Sequence, residues 1–143
     1  MANKNMYEIF DDFKKVKTKA ERIDVLLKND CYALRNVLLG AFNPNIVFDV
    51  ENIPDWRRVD MPAGMSYDHM AGVLQRVYLL QKDHPRRPPA LTEKRKNELL
   101  IQMLESLEEK EADVLISMLK KDLKVPYLTE ALVNEAFPGL LHK

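Results

Sequence analysis

The sequence has little cysteine, little glycine and no excess of charge, and these shortages exclude several classes of protein. Its 143 residues include one cysteine, Cys31, so neither an intramolecular disulfide nor a cysteine-based metal site can form. Basic and acidic side chains both number 22, which argues against tight nucleic-acid binding that rests on overall basicity. No apolar run approaches the roughly 18–20 residues that span a bilayer. We therefore expect a reduced, cytoplasmic protein with no membrane partner.

Apolar side chains at helical spacing are what the sequence has in quantity. Hydrophobic residues make up 46% of the chain, enough for a sizeable core. The pattern predicts an all-α fold, a compact bundle of about six or seven helices with one long irregular loop at about 43–65. Pro54, Pro62 and Gly64 disfavour a helix in that loop. We expect a single helical domain over 1–143, and the Pro-rich segment near 82–91 is a candidate connector between two lobes.

Capping residues predict where individual helices begin. Thr18 followed by Glu21 is a capping-box pattern. Asp30 can cap a helix that runs from Cys31 to about Ala41. Further helices are expected to begin at Ser66 (running to about Leu80), Thr92 and Thr129.

No combination of residues indicates catalysis. The histidines His69, His84 and His142 are scattered, and none has a second ligand at metal-binding spacing. The acidic residues from Glu105 to Asp113 fit no recognised calcium loop, so we expect them to form a solvated face. No Gly-rich phosphate loop is present. We therefore expect no enzymatic activity, no cofactor and no metal site.

Basic residues cluster in three places: at the first interhelix turn, around the Pro-rich connector, and at the end of a helix near the C terminus. Each cluster alone is compatible with a solvated face. Two clusters that converge on one surface would instead form a phosphate-binding patch despite the neutral total charge. The three clusters are Lys14, Lys15, Lys17, Lys19 and Arg22; Arg86, Arg87, Lys94, Arg95 and Lys96; and Lys120, Lys121 and Lys124.

Two motifs near the C terminus carry a family resemblance. The stretch 113–123 closes with Lys121-Asp122-Leu123, and the stretch 129–140 closes with Phe137-Pro138-Gly139-Leu140. Together they resemble the end of the N-terminal helical DNA-binding domain of ATP-dependent DNA ligases, especially those of T4-like bacteriophages. A weaker likeness covers residues 18–29, 34–38 and the connector 43–55. The chain is also similar to small proteins that such phages encode as separate open reading frames.

The resemblance implies a detached DNA-binding domain. In the ligases this domain grips the duplex backbone through the minor groove, while a following domain with a Lys-x-Asp-Gly motif does the chemistry, and that motif does not occur here. A noncatalytic DNA-binding or DNA-metabolism accessory protein is implied, with the double-stranded DNA backbone as its partner. One departure is Pro126, in a turn where the ligases commonly carry a glycine. The candidate DNA contacts are Lys120, Lys121, Lys124, Thr129, Arg35, Arg86 and Arg87.

The alternative function is a protein-interaction module on the same scaffold, without DNA binding. Such a module would be a host-protein inhibitor or a virion component. The neutral net charge, Pro126 and the aromatic loop favour it. An exposed Trp56 flanked by Arg57 and Arg58 would be a suitable interface anchor. Under either function we expect a cytoplasmic protein, in the host cytoplasm if a phage encodes it.

Overall fold

The computed structural model describes residues 5–58 and 68–142, and regular structure within these residues is helical. The described part of the chain forms seven α-helices and two short 3-10 helices. The 3-10 helix Val77–Leu80 lies between the fourth and fifth α-helices, and Leu140–His142 follows the seventh. The α-helices are α1 (Met6–Lys15), α2 (Lys19–Lys28), α3 (Tyr32–Phe42), α4 (Met70–Leu74), α5 (Glu93–Ser106), α6 (Glu109–Leu119) and α7 (Glu130–Ala136). Over the described ranges the only β pairing is one isolated bridge, Phe48 with Gln81. The predicted all-α bundle is confirmed.

Helix α6 lies at the centre of the bundle. Helices α1, α3 and α5 all pack against it, and α2 packs between α1 and α7. The buried side chains form one continuous apolar cluster, to which α6 contributes Leu115 and Met118. Each such buried side chain stabilises the fold by roughly 1.5–3 kcal/mol. Searched over the described residues, the helices include none long and apolar enough to cross a bilayer.

Three of the predicted helix starts are confirmed, because the threonine hydroxyl accepts a backbone hydrogen bond from the residue three positions later. Such a cap satisfies one of the amide donors that a helix leaves without an internal partner. The three hydroxyls are those of Thr18, bonded to the Glu21 N–H at 3.2 Å, Thr92, bonded to Arg95 at 3.1 Å, and Thr129, bonded to Leu132 at 3.2 Å.

Two helix predictions were wrong in detail. Cys31, not Asp30, is the N-cap residue of α3, because the helix begins at Tyr32; the Asp30 carboxylate binds the guanidinium of Arg35. The helix expected to reach Leu80 ends at Leu74. Beyond it the chain must meet the segment around Phe48, where the Lys82 N–H donates to the Val47 carbonyl at 2.7 Å. The backbone pairing with the segment around Phe48 therefore outweighs the preference of the residues after Leu74 to continue the α-helix. The proposed cap Ser66 lies outside the described residues.

The irregular loop is present in the part of 43–65 that the structure describes. No helix occurs in residues 43–58. Two aromatic side chains attach this segment to the core. Phe48 is buried within the core, and Trp56 is half-buried and packs against the core. The assignment of one domain to 1–143 and of lobes joined near 82–91 stays a prediction, although both sides of that segment contribute to the same apolar cluster.

Candidate nucleic-acid interface

Lys121 joins the end of α6 to the end of α3. Its ammonium group donates to three backbone carbonyls, those of Gly40 at 2.6 Å, Asn43 at 2.8 Å and Ile46 at 2.7 Å. Removal from water lowers the pKa of Lys121 below its usual value. An ammonium group has three donors, and all three are used here. The prediction that Lys121 contacts a DNA phosphate conflicts with this geometry, so we assign Lys121 a structural role.

Arg35 is also engaged within the protein. Its guanidinium binds both oxygens of the Asp30 carboxylate, with Nη2 2.9 Å from Oδ2, and lies 4.9 Å from the centre of the Phe137 ring. The hydrogen bond from Arg35 lowers the pKa of Asp30. A bidentate pair of this kind neutralises the cation. Arg35 is therefore a poorer candidate for a phosphate contact than the sequence suggests.

The cluster around the Pro-rich connector is partly internal. Arg87 Nη2 lies 2.9 Å from the Asp49 carboxylate, and that hydrogen bond holds the pKa of Asp49 below its usual range. Lys96 is buried, with its ammonium 2.7 Å from the Glu93 carboxylate and bonded to the Asp49 carbonyl. Arg87 attaches the connector, and Lys96 attaches α5, to the loop at Asp49, so the geometry argues against Arg87 as a phosphate contact. Arg86 is exposed and lies 5.0 Å from the centre of the Tyr78 ring.

The first and third basic clusters converge. Lys14, in the last turn of α1, and Lys124, in the loop after α6, line the same groove of about 180 Å³. Ser117 also lines it, and Lys120, the C-cap residue of α6, follows three residues later, a spacing that places it on the same side of the helix. The Arg22 guanidinium, from the first cluster, lies 3.9 Å from the centre of the exposed Tyr127 ring and donates to the Lys17 carbonyl at 3.3 Å. We call Lys14 and Lys124, together with Lys17, Arg22 and Lys120 from the same two clusters, the basic surface.

The charge of this groove is not uniform. Asp11 and Asp113 also line it. Asp113 is engaged by Arg58, whose Nη2 lies 3.0 Å from its carboxylate. The groove is therefore lined by two lysines and two aspartates, and Asp11 lies one helical turn before Lys14 on α1. An anion in the groove would be attracted by Lys14 and Lys124 and repelled by Asp11.

The turn between α6 and α7 has an unusual backbone. The Leu128 N–H donates to the Val125 carbonyl at 3.2 Å, which closes a turn with Pro126 and Tyr127 at its centre. Tyr127 has a φ of 67°, the left-handed value that the third residue of a type II turn requires and that glycine usually supplies. Lys121 and Lys124 also have positive φ, of 62° and 58°. Strained residues of this kind persist where the surrounding structure holds them, often at functional sites.

Thr129 is placed beside this turn, at the start of α7. Its hydroxyl oxygen already accepts from the Leu132 N–H at 3.2 Å. The hydroxyl proton remains available to donate to a phosphate, but the oxygen is fixed by its capping role. Thr129 therefore contributes mainly by fixing the shape of the loop, and it adds no charge to it.

The residues of the alternative protein interface attach their loop to the bundle. Arg58 binds Glu109 at 3.2 Å as well as Asp113, and it lies 5.0 Å from the centre of the Trp56 ring. The Arg57 N–H donates to the Glu105 carboxylate at 2.7 Å. Trp56 is half-buried and packs against the core, so it offers less free surface than the exposed anchor that the alternative function requires.

Comparison with known proteins places the chain in a family. The model of a family of unknown function, DUF6433, matches residues 9–125. The chain belongs to the DUF6433 family. The matched residues include Lys14, Lys120 and Lys124 and end before Tyr127. No curated protein matches the chain.

Two carboxylates within the residues that DUF6433 matches are buried, and their sequence pattern did not predict this. Glu111 accepts the Tyr7 N–H at 2.8 Å, and Glu108 accepts from the Asn5 side chain at 2.9 Å and from the Tyr7 hydroxyl at 3.2 Å. Both are buried, so the expected solvated acidic face was wrong at these positions. Desolvation is the main cause that raises the pKa of Glu111, to about 7. Among the described residues, no three His, Cys, Asp or Glu side chains come together in a way that could hold a metal ion.

Proposed function

We propose that this DUF6433 protein is a noncatalytic DNA-binding protein, an accessory in DNA metabolism, whose basic surface contacts the phosphates of duplex DNA. The observation that carries the proposal is the convergence of Lys14 and Lys124 on one groove. These cations come from two clusters that are far apart in sequence. The resemblance to the DNA-binding domain of DNA ligases, read from the C-terminal motifs, supports the same ligand.

The neutral net charge is compatible with this proposal because some cations are engaged within the protein and others are not. Several cations are bound to carboxylates or carbonyls inside the protein, as Arg35, Arg87 and Lys121 are. Over the described residues Lys14, Lys120 and Lys124 have no ion-pair partner within 4.0 Å. A local patch of such cations can bind phosphates although the total charge is zero.

The proposed contact is with the backbone, so sequence preference should be weak. Lysine ammonium groups bind phosphates as point charges and carry no base-specific geometry. Tyr127 is 67% exposed and is held against Arg22 in a strained turn. This position allows the ring to lie against a sugar or the edge of the groove beside the phosphates.

A salt titration tests the binding itself. Anisotropy of a short fluorescent duplex would be measured from about 50 to about 200 mM salt. If about four phosphates are neutralised, affinity should fall roughly 150-fold over that range, since the logarithmic slope is about 0.9 per phosphate. Absence of binding at the lowest salt concentration would refute DNA binding.

A pair of double variants tests the site. Lys14→Glu with Lys124→Glu should reduce affinity at least about tenfold and lower the salt slope by about two, because two phosphates are no longer neutralised. Lys82→Glu with Lys94→Glu is the matched control, because it makes the same change in net charge at exposed residues that do not line the groove. If the control weakens DNA binding as much as the test pair, the basic surface is not the site. Thermal unfolding of both variants checks that the fold is retained.

A further inference from the structure

A second groove lies between α3 and the 3-10 helix Val77–Leu80, away from the basic surface. Its volume is about 230 Å³, and it shares no lining residue with the groove of Lys14 and Lys124. Leu39, Leu74 and Met118 contribute apolar side chains to it. We call it the aromatic groove, because its polar rim includes Tyr32 and Tyr78, together with His84 and Arg86.

The aromatic groove has a positive rim. Arg86 is the single formally charged side chain that lines it, and no carboxylate does so among the described residues. The Arg86 guanidinium lies over the Tyr78 ring at 5.0 Å, and over the described residues no carboxylate lies within 4.0 Å of it. An exposed cation placed over an aromatic face next to an apolar cavity is complementary to an anion attached to an apolar group.

Hydrogen-bond donors add to the attraction that the Arg86 charge offers an anion. The Arg86 backbone N–H donates to Nδ1 of His84 at 3.0 Å, so a neutral His84 ring carries its proton on Nε2. Asn36 and Gln75 add side-chain amides to the lining. An occupant with carboxylate oxygens would find donors around an apolar floor.

The dimensions of the groove favour a segment of protein over a small-molecule ligand. Its volume of about 230 Å³ is below the roughly 300–1,000 Å³ of most small-molecule sites. That space is sufficient for one or two bulky side chains. Tyr32 at its edge is 50% exposed, a large aromatic surface of the kind that protein interfaces cover.

We propose that the aromatic groove docks an acidic peptide segment of a partner protein. A bulky apolar side chain of the segment occupies the cavity above Leu39 and Met118, and a neighbouring carboxylate binds Arg86. The proposed interaction is distinct from DNA binding at the groove of Lys14 and Lys124, because the two grooves share no lining residue. A protein with both surfaces would bring the partner to the DNA backbone.

Three labelled peptides test the chemistry of the groove. The probe has the sequence Gly-Ser-Leu-Phe-Glu-Glu-Ser; one control replaces Glu-Glu with Lys-Lys and the other replaces Leu-Phe with Ala-Ala. In anisotropy titrations the probe should bind at least about threefold more tightly than either control. For the lysine control this is the size expected for one partly exposed charge pair, and for the alanine control the loss of a buried apolar side chain should cost at least as much. No binding of the probe at about 1 mM, or equal binding of all three peptides, would overturn the proposal.

Two arginine variants test the location. Arg86→Glu should reverse the preference toward the lysine peptide, Arg86→Gln should abolish the preference, and Lys94→Glu, a control cation outside the groove, should retain it. An unchanged preference in Arg86→Glu overturns the assignment. Dimerisation of the wild type that Arg86→Glu abolishes would identify a second copy as the occupant and refute a separate partner. If Arg86→Glu reduces duplex DNA binding as much as Lys14→Glu with Lys124→Glu does, the groove belongs to the DNA site and the peptide proposal fails.

Discussion

Replacing the buried Glu111 with glutamine should make the protein more stable at neutral and alkaline pH. The side chain is 3% exposed and accepts the Tyr7 N–H at 2.8 Å, at the start of α1. Burial raises the pKa of Glu111 from 4.5 to about 7. At about 1.36 kcal/mol for each pKa unit, ionising the buried group costs on the order of 3 kcal/mol.

The sign of the pH dependence follows from the direction of the shift. Between about pH 4.5 and 7 Glu111 is protonated in the folded protein and ionised in the unfolded chain. The unfolded state therefore binds fewer protons, and the free energy of unfolding decreases as pH rises through this window. Above about pH 7 the full cost is present. Below pH 4.5 it is absent, because both states carry the proton.

Glutamine resembles the protonated carboxyl group, with one acceptor and a donor. Urea unfolding of Glu111→Gln should show little change at about pH 5 and a gain of about 2–3 kcal/mol at about pH 8 relative to the wild type. Glu51→Gln, which removes an exposed carboxylate, should follow the wild type at both pH values. If Glu111→Gln keeps the pH dependence of the wild type, Glu111 does not titrate in this window and the reasoning is refuted.

Two further substitutions test how the helices are joined. Lys121→Met should destabilise the fold by about 2–3 kcal/mol, because three backbone carbonyls lose a charged donor. The control Lys120→Met should change stability by less than about 0.5 kcal/mol. Equal melting temperatures for the two variants would contradict the structural role of Lys121. Gly40→Ala should cost up to about 1 kcal/mol, because its new Cβ would lie 2.8 Å from Sδ of Met118 and that side chain must shift, while the helix preference of alanine offsets part of the cost. Adding Met118→Val should restore part of that stability, as a double-mutant cycle by chemical denaturation would detect.

Features that depend on neighbouring residues could be predicted from the sequence. The hydroxyls of Thr18, Thr92 and Thr129 accept hydrogen bonds from residues three positions along the chain, so the cap and its partner occur in one short stretch of sequence. The apolar positions of α1 and α6 recur at helical spacing for the same local reason. These signals predict the helices and most of their starts.

Features that depend on distant residues could not be predicted in this way. Glu111 binds a residue 104 positions away, and Lys121 binds carbonyls 75 to 81 positions away. A charged residue inside a helix is usually solvated, and its burial depends on which element packs over it. The acidic stretch therefore has the sequence of a solvated face although α1 covers two of its members, Glu108 and Glu111.

The same distinction decides which cations can test DNA binding. Lys120 and Lys121 are adjacent in sequence, and charge reversal at both would be the obvious test of a phosphate patch. Lys121 holds the ends of α3 and α6 together, so its replacement would weaken the fold and lower DNA affinity whether or not a phosphate lies nearby. Lys14 and Lys124 avoid this ambiguity, because both are exposed and line one groove. A decrease in affinity on their reversal, with stability unchanged, reports on the DNA contact alone.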